Sequence, residues 1–567
     1  MTVGFSDPPA TLKEALERAA RYHPERGIAV FDSRGRRYER RTFPEVLASV
    51  QQSAGRWATL GLEPRDRVLV GLPTTWAFFE CWIGALWRGA FPFAVASPGG
   101  FGAADAHVRK IEGLVDRLGV RHAVISDGFL DQAVAREATR LIEVAITPEA
   151  QAQAALGVGG PSDSPGLACG DCAFLQLTSG STGLPRAVMV SHGAAIQNVA
   201  SMAFSYRDEN GEPLHEWADS LVSWLPMHHD MGLVGILWTA IVTGLNLWLF
   251  PPNAFLARPR VWLAEVGKHG KTATQAPNFG YQLCVERIRP EDREGLDLSG
   301  LRVSTCGAEM VRPETVAAFV EAFGPYGFDA NCFFAGYGLA EASLGVTVDG
   351  ARQGLRTLAV PDSGPDADEV VCLGLPMSNT QLRITDPVGS ELPEGSVGEL
   401  WVRSPALMMG YYEEPEATDE AIVDGWLRTG DLGFLNEGEL YLTGRLKDVL
   451  IVRGTNFMPH ELEWLAEAAT GGGGSRRCAA FSVTRGNEGE EAVLVVEVGE
   501  RDAGALEELE REIRLQVAHS LGINLADVVL VRRGQIPKTT SGKVQRRLAK
   551  EMYLRGELGR AEDRRSA

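Results

Sequence analysis

Residues 177–192 have the sequence LTSGSTGLPRAVMVSH, and this stretch decides how the surrounding chain is interpreted. Its central residues, 178–187, contain two glycines, one proline, four hydroxyl side chains and one arginine. Neither a core strand nor a core helix favours that mixture. The apolar run CAFLQLT at 172–178 leads into it and predicts a strand. We therefore expect an exposed loop that follows a buried strand.

This glycine-rich loop has the composition of an anion-binding site. A strand that enters such a turn exposes successive backbone N–H groups, and glycine lets the backbone approach phosphate oxygens closely. Its hydroxyl groups can donate to those oxygens, and Arg186 adds a fixed positive charge. The Walker A spacing is absent, because no Gly-Lys-Ser/Thr follows. Taken alone, the loop indicates either a phosphate cradle or a flexible surface linker.

The overall composition argues against several classes of partner. The chain has 567 residues, 45% of them hydrophobic, which is enough for a large core and more than one domain. Its formal net charge of -19 comes from 74 acidic and 55 basic residues, and such a surface repels nucleic acids and anionic membranes. The N-terminus lacks the features of a signal peptide, and no run of about 18 apolar residues predicts a membrane span. We expect a cytoplasmic protein without a nucleic-acid partner.

The cysteines predict reduced thiols. There are 8 in a long chain, and they are too scattered for a disulfide framework. Cys169 and Cys172 have the spacing of a redox or metal pair, but no second pair completes a zinc site. We interpret them as two ordinary thiols beside a strand.

Strands and helices alternate through much of the first 440 residues. Apolar runs at 66–73 and 122–126 predict buried strands, whereas 75–90, 103–119 and 191–206 predict helices. This alternation is typical of parallel α/β layers.

A smaller α+β unit is predicted after a charged turn at 445–448, and no internal repeat is evident. Its expected elements are a helix at 460–469, a glycine loop at 471–474, strands in CAAFSV and AVLVVEV, a helix at 504–520 and a strand at 527–531.

Five motifs occur in the order typical of the adenylate-forming ligase superfamily, which includes acyl-CoA synthetases, adenylation domains of peptide synthetases and luciferases. They resemble its signature loop, adenine and magnesium stretch, ribose stretch, hinge and catalytic-lysine loop: TSGSTGLPRAVMVSH (178–192), YGLAE (337–341), RTGDLG (428–433), GRLKD (444–448) and IPKTTSGKVQRR (536–547). In the first motif the family's usual lysine is Arg186 here, and the glycine that usually follows is Ala187. Arginine can still bind phosphate, in a bidentate manner.

Finer features are most similar to the fatty-acyl-AMP ligase branch. They are SWLPMHHDMGLVG (223–235), PNFGYQLCVERI (277–288), DLSGLRVSTCGAEMVRPET (297–315) and GYGLAEASLGV (336–346). The resemblance implies an α/β fold with a large, multi-subdomain N-terminal adenylation domain, residues 1–446. A small mobile α+β lid domain, residues 447–567, would follow a hinge near Lys447; an exposed turn lysine is the alternative for that residue.

The resemblance also implies the reaction. A carboxylate would attack the α-phosphorus of ATP, pyrophosphate would leave and an acyl-adenylate would form. Both reactants are anions, so the site must offset their repulsion and hold them in line. ATP and Mg²⁺ are the implied cofactors, and Glu341 would hold the magnesium ion.

Further roles are implied residue by residue. Lys543 would reach in from the lid and stabilise charge in the transition state, and Tyr337 would pack against adenine. Asp431 would accept hydrogen bonds from the ribose hydroxyls, and Arg445 would contact the ribose or phosphate region; a structural ion pair of Arg445 with Asp448 is the alternative. The complete set of implied nucleotide-binding residues is Thr178, Ser179, Gly180, Ser181, Thr182, Gly183, Arg186, Gly307, Ala308, Glu309, Tyr337, Gly338, Asp431 and Arg445.

His229 has three interpretations. By resemblance it lies where the carboxylate meets the α-phosphate, and plain pocket lining is the second interpretation. A metal site with His228 and Asp230 is the third, but adjacent histidines in an extended segment point in opposite directions.

The acyl pocket should be apolar because the substrate tail is expected to be apolar. Its candidate residues, which would look the same in a core, are Trp224, Met227, Met231, Phe279 and Tyr281.

The acyl acceptor is the least determined feature. Fatty-acyl-AMP ligases usually carry an extra segment after YGLAE, which hinders use of coenzyme A. Residues 347–371 occupy that place, with a length between those of the two classes. We favour transfer to a separate acyl carrier protein, with coenzyme A as the alternative acceptor and arrest at the adenylate as a third outcome. A non-catalytic acyl- or adenylate-binding protein is a remote alternative, since Glu341, Asp431 and Lys543 are all present.

Overall fold

The computed structural model contains a mixed α/β large domain and a smaller C-terminal domain, as predicted. It describes residues 8–96, 104–127, 142, 144–154, 166–178, 185–207, 210–349, 354–361, 369–452, 455–470, 477–484, 490–499, 502–538 and 543–561. Within these ranges no helix is both long enough and apolar enough to cross a membrane. All eight cysteines are free thiols.

A nine-stranded sheet forms the centre of the large domain. Six central strands are parallel, and antiparallel strands close both edges. In spatial order the strands are Leu375–Pro376, Gly345–Val348, Phe333–Gly338, Leu301–Cys306, Thr272–Ala276, Ser220–Ser223, Asn246–Leu249, Gly27–Phe31 and Tyr38–Thr42.

A second, fully parallel sheet contains four strands. Their spatial order is Phe91–Ala94, Arg67–Gly71, His122–Ile125 and Val144–Ile146. The two central strands, Arg67–Gly71 and His122–Ile125, are mostly apolar and buried on both faces, as is typical of a covered parallel sheet.

The remaining sheets of the large domain are antiparallel. One sheet joins Gln381–Thr385, Gly398–Arg403, Trp426–Asn436, Ile422–Val423 and Glu439–Arg445, and a pair joins Thr357–Ala359 to Glu369–Val371. A three-stranded sheet contains Gly410–Tyr411, Ala187–Ser191 and Cys172–Leu177. The glycine-rich loop therefore joins two antiparallel strands, and the strand Ala187–Ser191 separates it from the helix that follows. That strand was not among the elements predicted from the sequence.

Helices cover the sheets of the large domain. The α-helices are Leu12–Tyr22, Phe43–Thr59, Trp76–Trp87, Ala104–Arg117, Pro148–Gln153, His192–Ser205, Leu214–Trp217, Asp230–Gly232, Thr239–Thr243, Pro252–Ala257, Arg260–Val266, Asn278–Arg287, Pro313–Phe323 and Pro415–Ala421. A π-helical turn spans Leu233–Trp238, and 3₁₀ turns span Pro290–Asp292, Gly324–Tyr326, Ala330–Cys332, Ala340–Ala342 and Leu446–Asp448.

The small domain begins beyond the last of these turns. Its strands are Leu450–Val452, Thr455–Phe457, Cys478–Thr484, Glu490–Val498 and Asp527–Arg532, and its helices are Pro459–Ala469, Ala503–Leu521 and Arg546–Leu554. The predicted glycine loop at 471–474 lies outside the described residues.

The hydrophobic cores divide at the same place. The largest core runs from Leu12 to Leu440, and a smaller one surrounds the four-stranded sheet. Two separate cores begin at Leu450 and Ala479 and belong to the small domain.

Candidate active site

The carboxyl ends of the parallel strands open into a cavity of about 1560 Å³. The strands Ser220–Ser223, Thr272–Ala276 and Leu301–Cys306 all end at this edge, so the segments that follow them converge there. Ligands of open α/β sheets bind at this edge for the same geometric reason. The small domain closes the other side of the cavity, where Lys543 lines the wall.

The base of the glycine-rich loop is held by two hydrogen bonds. The Thr178 N–H donates to the Arg186 carbonyl oxygen at 2.9 Å, and the Arg186 N–H donates to Thr178 Oγ1 at 3.2 Å. Both residues line the cavity. The remaining predicted loop residues, Ser179, Gly180, Ser181, Thr182 and Gly183, lie outside the described residues.

The Arg186 side chain is held beside the cavity by a tyrosine and a glutamate. Its guanidinium lies over the Tyr411 ring, 4.9 Å from the ring centroid, and its Nε is 3.3 Å from Glu414 Oε2. Arg117 approaches the other oxygen of that carboxylate at 3.7 Å. The positive charge is thus oriented at the foot of the loop by contacts that the sequence did not reveal.

Asp431 lies at the centre of a cluster of polar side chains. It is 3% exposed; the Tyr337 hydroxyl donates to its Oδ2 at 2.5 Å, and Arg445 Nε donates to its Oδ1 at 2.7 Å. Burial and the neighbouring carboxylate raise the pKa of Tyr337, so the phenol stays protonated and donates. Asp431 and Arg445 are register partners on adjacent strands, which fixes their approach.

Glu399 stabilises this cluster through hydrogen bonds to the neighbouring turn. Its carboxylate accepts from the Gly430 N–H at 3.3 Å and from Arg428 at 3.2 Å, and so holds the turn that carries Asp431. Glu399 belongs to no motif, and only the antiparallel pairing of its strand with Trp426–Asn436 places it there.

Glu341 also lines the cavity, in the short helical turn Ala340–Ala342. The Tyr411 hydroxyl donates to its Oε1 at 2.9 Å. Burial raises the pKa of the Glu341 carboxyl. A partly desolvated carboxylate with a raised pKa is a fitting ligand for a hard divalent cation, whose charge would offset the cost of its ionisation.

His229 and Asp230 form a close pair in the cavity wall. His229 Nδ1 lies 2.6 Å from Asp230 Oδ1. Burial by itself would raise the pKa of Asp230, but the charges of His229 and Lys543 lower it overall. Lys543 is therefore close enough to affect this pair electrostatically. Among the described residues no group of three potential metal ligands occurs, so the metal interpretation of His228, His229 and Asp230 gains no support.

Gly307, Ala308 and Glu309 follow the strand Leu301–Cys306 and line the cavity. A Cβ at Gly307 would lie 2.8 Å from the Gly336 carbonyl oxygen, so the two segments can approach only because that side chain is absent. Ala308 has a φ of 66°, a left-handed conformation that costs an alanine about 1 kcal/mol. Glu309 Oε1 accepts the Phe279 N–H at 2.9 Å and joins two walls of the cavity.

The five acyl-pocket candidates divide into two groups. Met231 and Phe279 line the cavity. Gly338 and the other nucleotide-site candidates that the structure describes also line it, as does Lys447, the hinge candidate. Trp224, Met227 and Tyr281 do not line it: they are buried in the core, where Trp224 stacks on Phe255 with ring centroids 3.8 Å apart. Their apolar side chains match the core as well as a pocket, which is why the sequence could not distinguish the two.

The chain is similar to several known proteins along most of its length. Residues 16–412 match the AMP-binding enzyme family. A putative acyl-CoA synthetase of Caulobacter vibrioides is 32% identical over 98% of this chain and 97% of its own length. The long-chain-fatty-acid–AMP ligase FadD26 of Mycobacterium marinum is 34% identical over 90% of this chain and 91% of its own.

A solved structure is similar along nearly the whole chain. It comes from a study of fatty acyl-adenylate ligases of E. coli and L. pneumophila, with 29% identity and a TM-score of 0.87. The match covers 97% of this chain and 98% of the solved chain.

Proposed function

This chain belongs to the AMP-binding enzyme family and is an adenylate-forming, AMP-producing ligase, and from that premise we propose its substrate and acceptor. It activates a hydrophobic fatty or related carboxylic acid with ATP. It then transfers the acyl group to the phosphopantetheine thiol of a separate acyl carrier protein.

One observation carries the proposal most strongly. Lys543 of the small domain, the His229–Asp230 pair, Glu341 and Asp431 all border one cavity. A reaction between two anions needs positive charge at the point of attack and firm positioning of both partners. The residues around the shared cavity would supply both, and its apolar wall at Met231 suits a hydrocarbon tail.

In the first step a carboxylate oxygen attacks the α-phosphorus of ATP. A new bond forms between that oxygen and phosphorus, the bond to the bridging oxygen of pyrophosphate breaks, and pyrophosphate leaves with the electron pair. Phosphoryl transfer depends mainly on positioning and charge stabilisation. Lys543 would stabilise the charge on the reacting oxygens, and Arg186 would bind the departing phosphates.

The other side chains hold the substrates. Asp431 would accept hydrogen bonds from the ribose hydroxyls, with Tyr337 beside the adenine and Arg445 beside the ribose or phosphate. Glu341 would hold Mg²⁺, which supplies charge neutralisation of the phosphate oxygens when bound. His229 would line the junction of carboxylate and α-phosphate, where its Nδ1 contact with Asp230 fixes the ring orientation.

In the second step a thiolate sulfur attacks the acyl carbonyl carbon of the adenylate. The carbon–oxygen bond to AMP breaks, AMP leaves and a thioester forms. For this step we propose that the small domain, residues 447–567, rotates about Lys447. The separation of hydrophobic cores between Leu440 and Leu450 supports a hinge there.

Coenzyme A is the second candidate acceptor, favoured by the similarity to a putative acyl-CoA synthetase. The segment that would discriminate, residues 347–371, lies only partly within the described residues.

The test pairs a panel of carboxylic acids with product analysis. Carboxylate-dependent exchange of pyrophosphate into ATP should occur with apolar acids, and its absence with every acid would refute adenylate formation. The adenylate should then be supplied with coenzyme A or with a phosphopantetheinylated carrier protein. Thioester formation on the carrier alone supports the proposal. Clean formation of acyl-CoA would show that coenzyme A is the acceptor.

A further inference from the structure

Arg312 of the large domain reaches across to the small domain. Its Nη1 lies 2.6 Å from Glu467 Oε2, and its guanidinium lies over the Trp464 ring, 4.8 Å from the centroid. Arg312 immediately precedes the helix Pro313–Phe323, whereas Trp464 and Glu467 share one face of the helix Pro459–Ala469. One side chain therefore makes two different contacts with a single helix of the other domain.

The contact is largely desolvated. The side chains of Arg312 and Glu467 are 20% and 7% exposed. Burial raises the pKa of the Glu467 carboxyl, and Arg312 opposes that effect. A buried carboxylate that loses its cationic partner is costly. Because the partner belongs to the other domain, rotation of the small domain would break the pair, so the pair favours the orientation seen here.

The helix that Arg312 contacts, Pro459–Ala469, also anchors the segment that carries Lys543. Arg546 donates to both carboxylate oxygens of Glu463 at 2.7 Å and to Asp448 at 3.2 Å. Glu463 lies one turn before Glu467 on the same helix, and Arg546 lies three residues after Lys543. Two ion pairs on the helix Pro459–Ala469 thus connect Arg312 through the helix backbone to the segment that carries Lys543.

At its other end Arg312 is fixed to the wall of the cavity. Its backbone N–H donates to Asn278 Oδ1 at 3.0 Å, and the Asn278 amide nitrogen donates to Thr315 Oγ1 at 3.2 Å. Asn278 lines the cavity beside Phe279. The backbone of Arg312 is therefore fixed to the cavity wall, and its side chain is fixed to the small domain.

We propose that Arg312 is a positioning residue of the adenylation step. Its ion pair with Glu467 and its contact with Trp464 hold the small domain where Lys543 faces the reacting oxygens. Arg312 acts through that domain. The inference rests on the proposed function for its catalytic consequence, but the positioning itself can be measured without turnover.

The experiment compares Arg312→Gln, Glu467→Gln, Arg312→Glu and the charge-swapped double variant Arg312→Glu/Glu467→Arg with the wild type. Arg289→Gln is the matched control, because Arg289 is 67% exposed and pairs with Glu291 and Asp292 within the large domain. Two readouts are taken: the kinetics of carboxylate-dependent pyrophosphate exchange, and small-angle X-ray scattering of the full chain without substrates.

Arg312→Gln should lower kcat by at least about thirtyfold, the lower end of the cost of removing one partner of a buried charge pair, with little change in the KM for ATP. Its radius of gyration should increase, because the small domain is no longer held. Glu467→Gln should behave in the same way, and the charge-swapped variant should recover part of the rate that Arg312→Glu loses. Arg289→Gln should match the wild type in both readouts.

Unchanged kcat and unchanged scattering in Arg312→Gln would overturn the proposal, as would a charge swap that restores nothing. If the wild type itself exchanges no pyrophosphate with any acid, the proposed function fails. The scattering of Arg312→Gln then still decides whether this residue holds the two domains together. If Arg312→Gln does not fold, Glu467→Gln decides by the same criteria.

Discussion

Tyr411 and Glu341 are joined by a hydrogen bond of 2.9 Å from the phenol to the carboxylate. The same phenol ring lies under the guanidinium of Arg186. Tyr411 therefore connects the arginine at the base of the glycine-rich loop to the carboxylate proposed to hold magnesium. It comes from the short strand Gly410–Tyr411, which pairs with the strand that leaves the loop.

Tyr411→Phe should weaken magnesium-dependent catalysis without unfolding the protein. The variant keeps the ring under Arg186 but removes the hydrogen bond that orients Glu341. Loss of such an outer contact typically costs about 10- to 100-fold in metal affinity or activity. Pyrophosphate exchange measured against magnesium concentration should show a higher half-saturating concentration. Tyr412→Phe is the neighbouring control, since its ring faces Arg67; identical magnesium curves for Tyr411→Phe and wild type would contradict the role.

Lys543→Ala should abolish adenylate formation and leave the large domain folded. Removal of one charge-stabilising donor costs about 10²–10³ in rate in comparable sites. Arg547→Ala removes a positive charge four residues later, from an exposed pair with Glu551, and should retain activity. The measurements are adenylate yield and the unfolding transition of the large domain. A near-normal yield from Lys543→Ala would remove the assignment.

Asp431→Asn should impair use of ATP. The amide keeps one acceptor but loses the negative charge that Arg445 and the Tyr337 hydroxyl share. Hydrogen bonds to charged groups contribute about 1.5–3 kcal/mol, so kcat/KM for ATP should fall by about 10- to 100-fold. Asp386→Asn, in an exposed turn, is a control that should leave kcat/KM unchanged. A variant with the wild-type kcat/KM would show that the ribose is bound elsewhere.

The sequence predicted the elements whose local pattern is strong. The runs at 66–73 and 122–126 form the parallel strands Arg67–Gly71 and His122–Ile125, because a strand buried on both faces is apolar along nearly its whole length. The charged turn near Lys447 lies between Leu440 of the largest core and Leu450 of the next, and the hinge at this turn stays a prediction.

The features that the sequence missed depend on long-range placement. Tyr411 approaches Glu341 across 70 residues, and Arg312 approaches Glu467 across 155, so neither pair has a local pattern. The acyl-pocket role of Trp224 stays a prediction: its buried ring stacks on Phe255 and also contacts Phe279, which lines the cavity. Burial and partner identity are properties of the folded chain.

A buried histidine makes the stability of the large domain depend on pH. His192 begins the helix His192–Ser205, is 1% exposed, and its Nδ1 accepts the Leu12 N–H at 3.2 Å. Burial lowers the pKa of His192 to about 4. The unfolded chain has the ordinary value of about 6.5, so it binds the proton first as the pH falls. Stability from this site is therefore complete above about pH 6.5 and is lost progressively down to about pH 4, by about 2 kcal/mol at pH 5.

His192→Gln should remove that component of the pH dependence, because glutamine offers a neutral acceptor to the Leu12 N–H and does not titrate. Urea unfolding of the large domain, followed by tryptophan fluorescence at pH 7.5 and pH 5, gives the two free energies of unfolding for each variant. The decrease between these pH values should be smaller in His192→Gln by about 2 kcal/mol. His519→Gln, at an exposed position of the small domain, should show the wild-type decrease. Equal decreases in wild type and His192→Gln would mean that His192 has the same pKa in the folded and unfolded chain, and that its contact with Leu12 does not depend on a neutral ring.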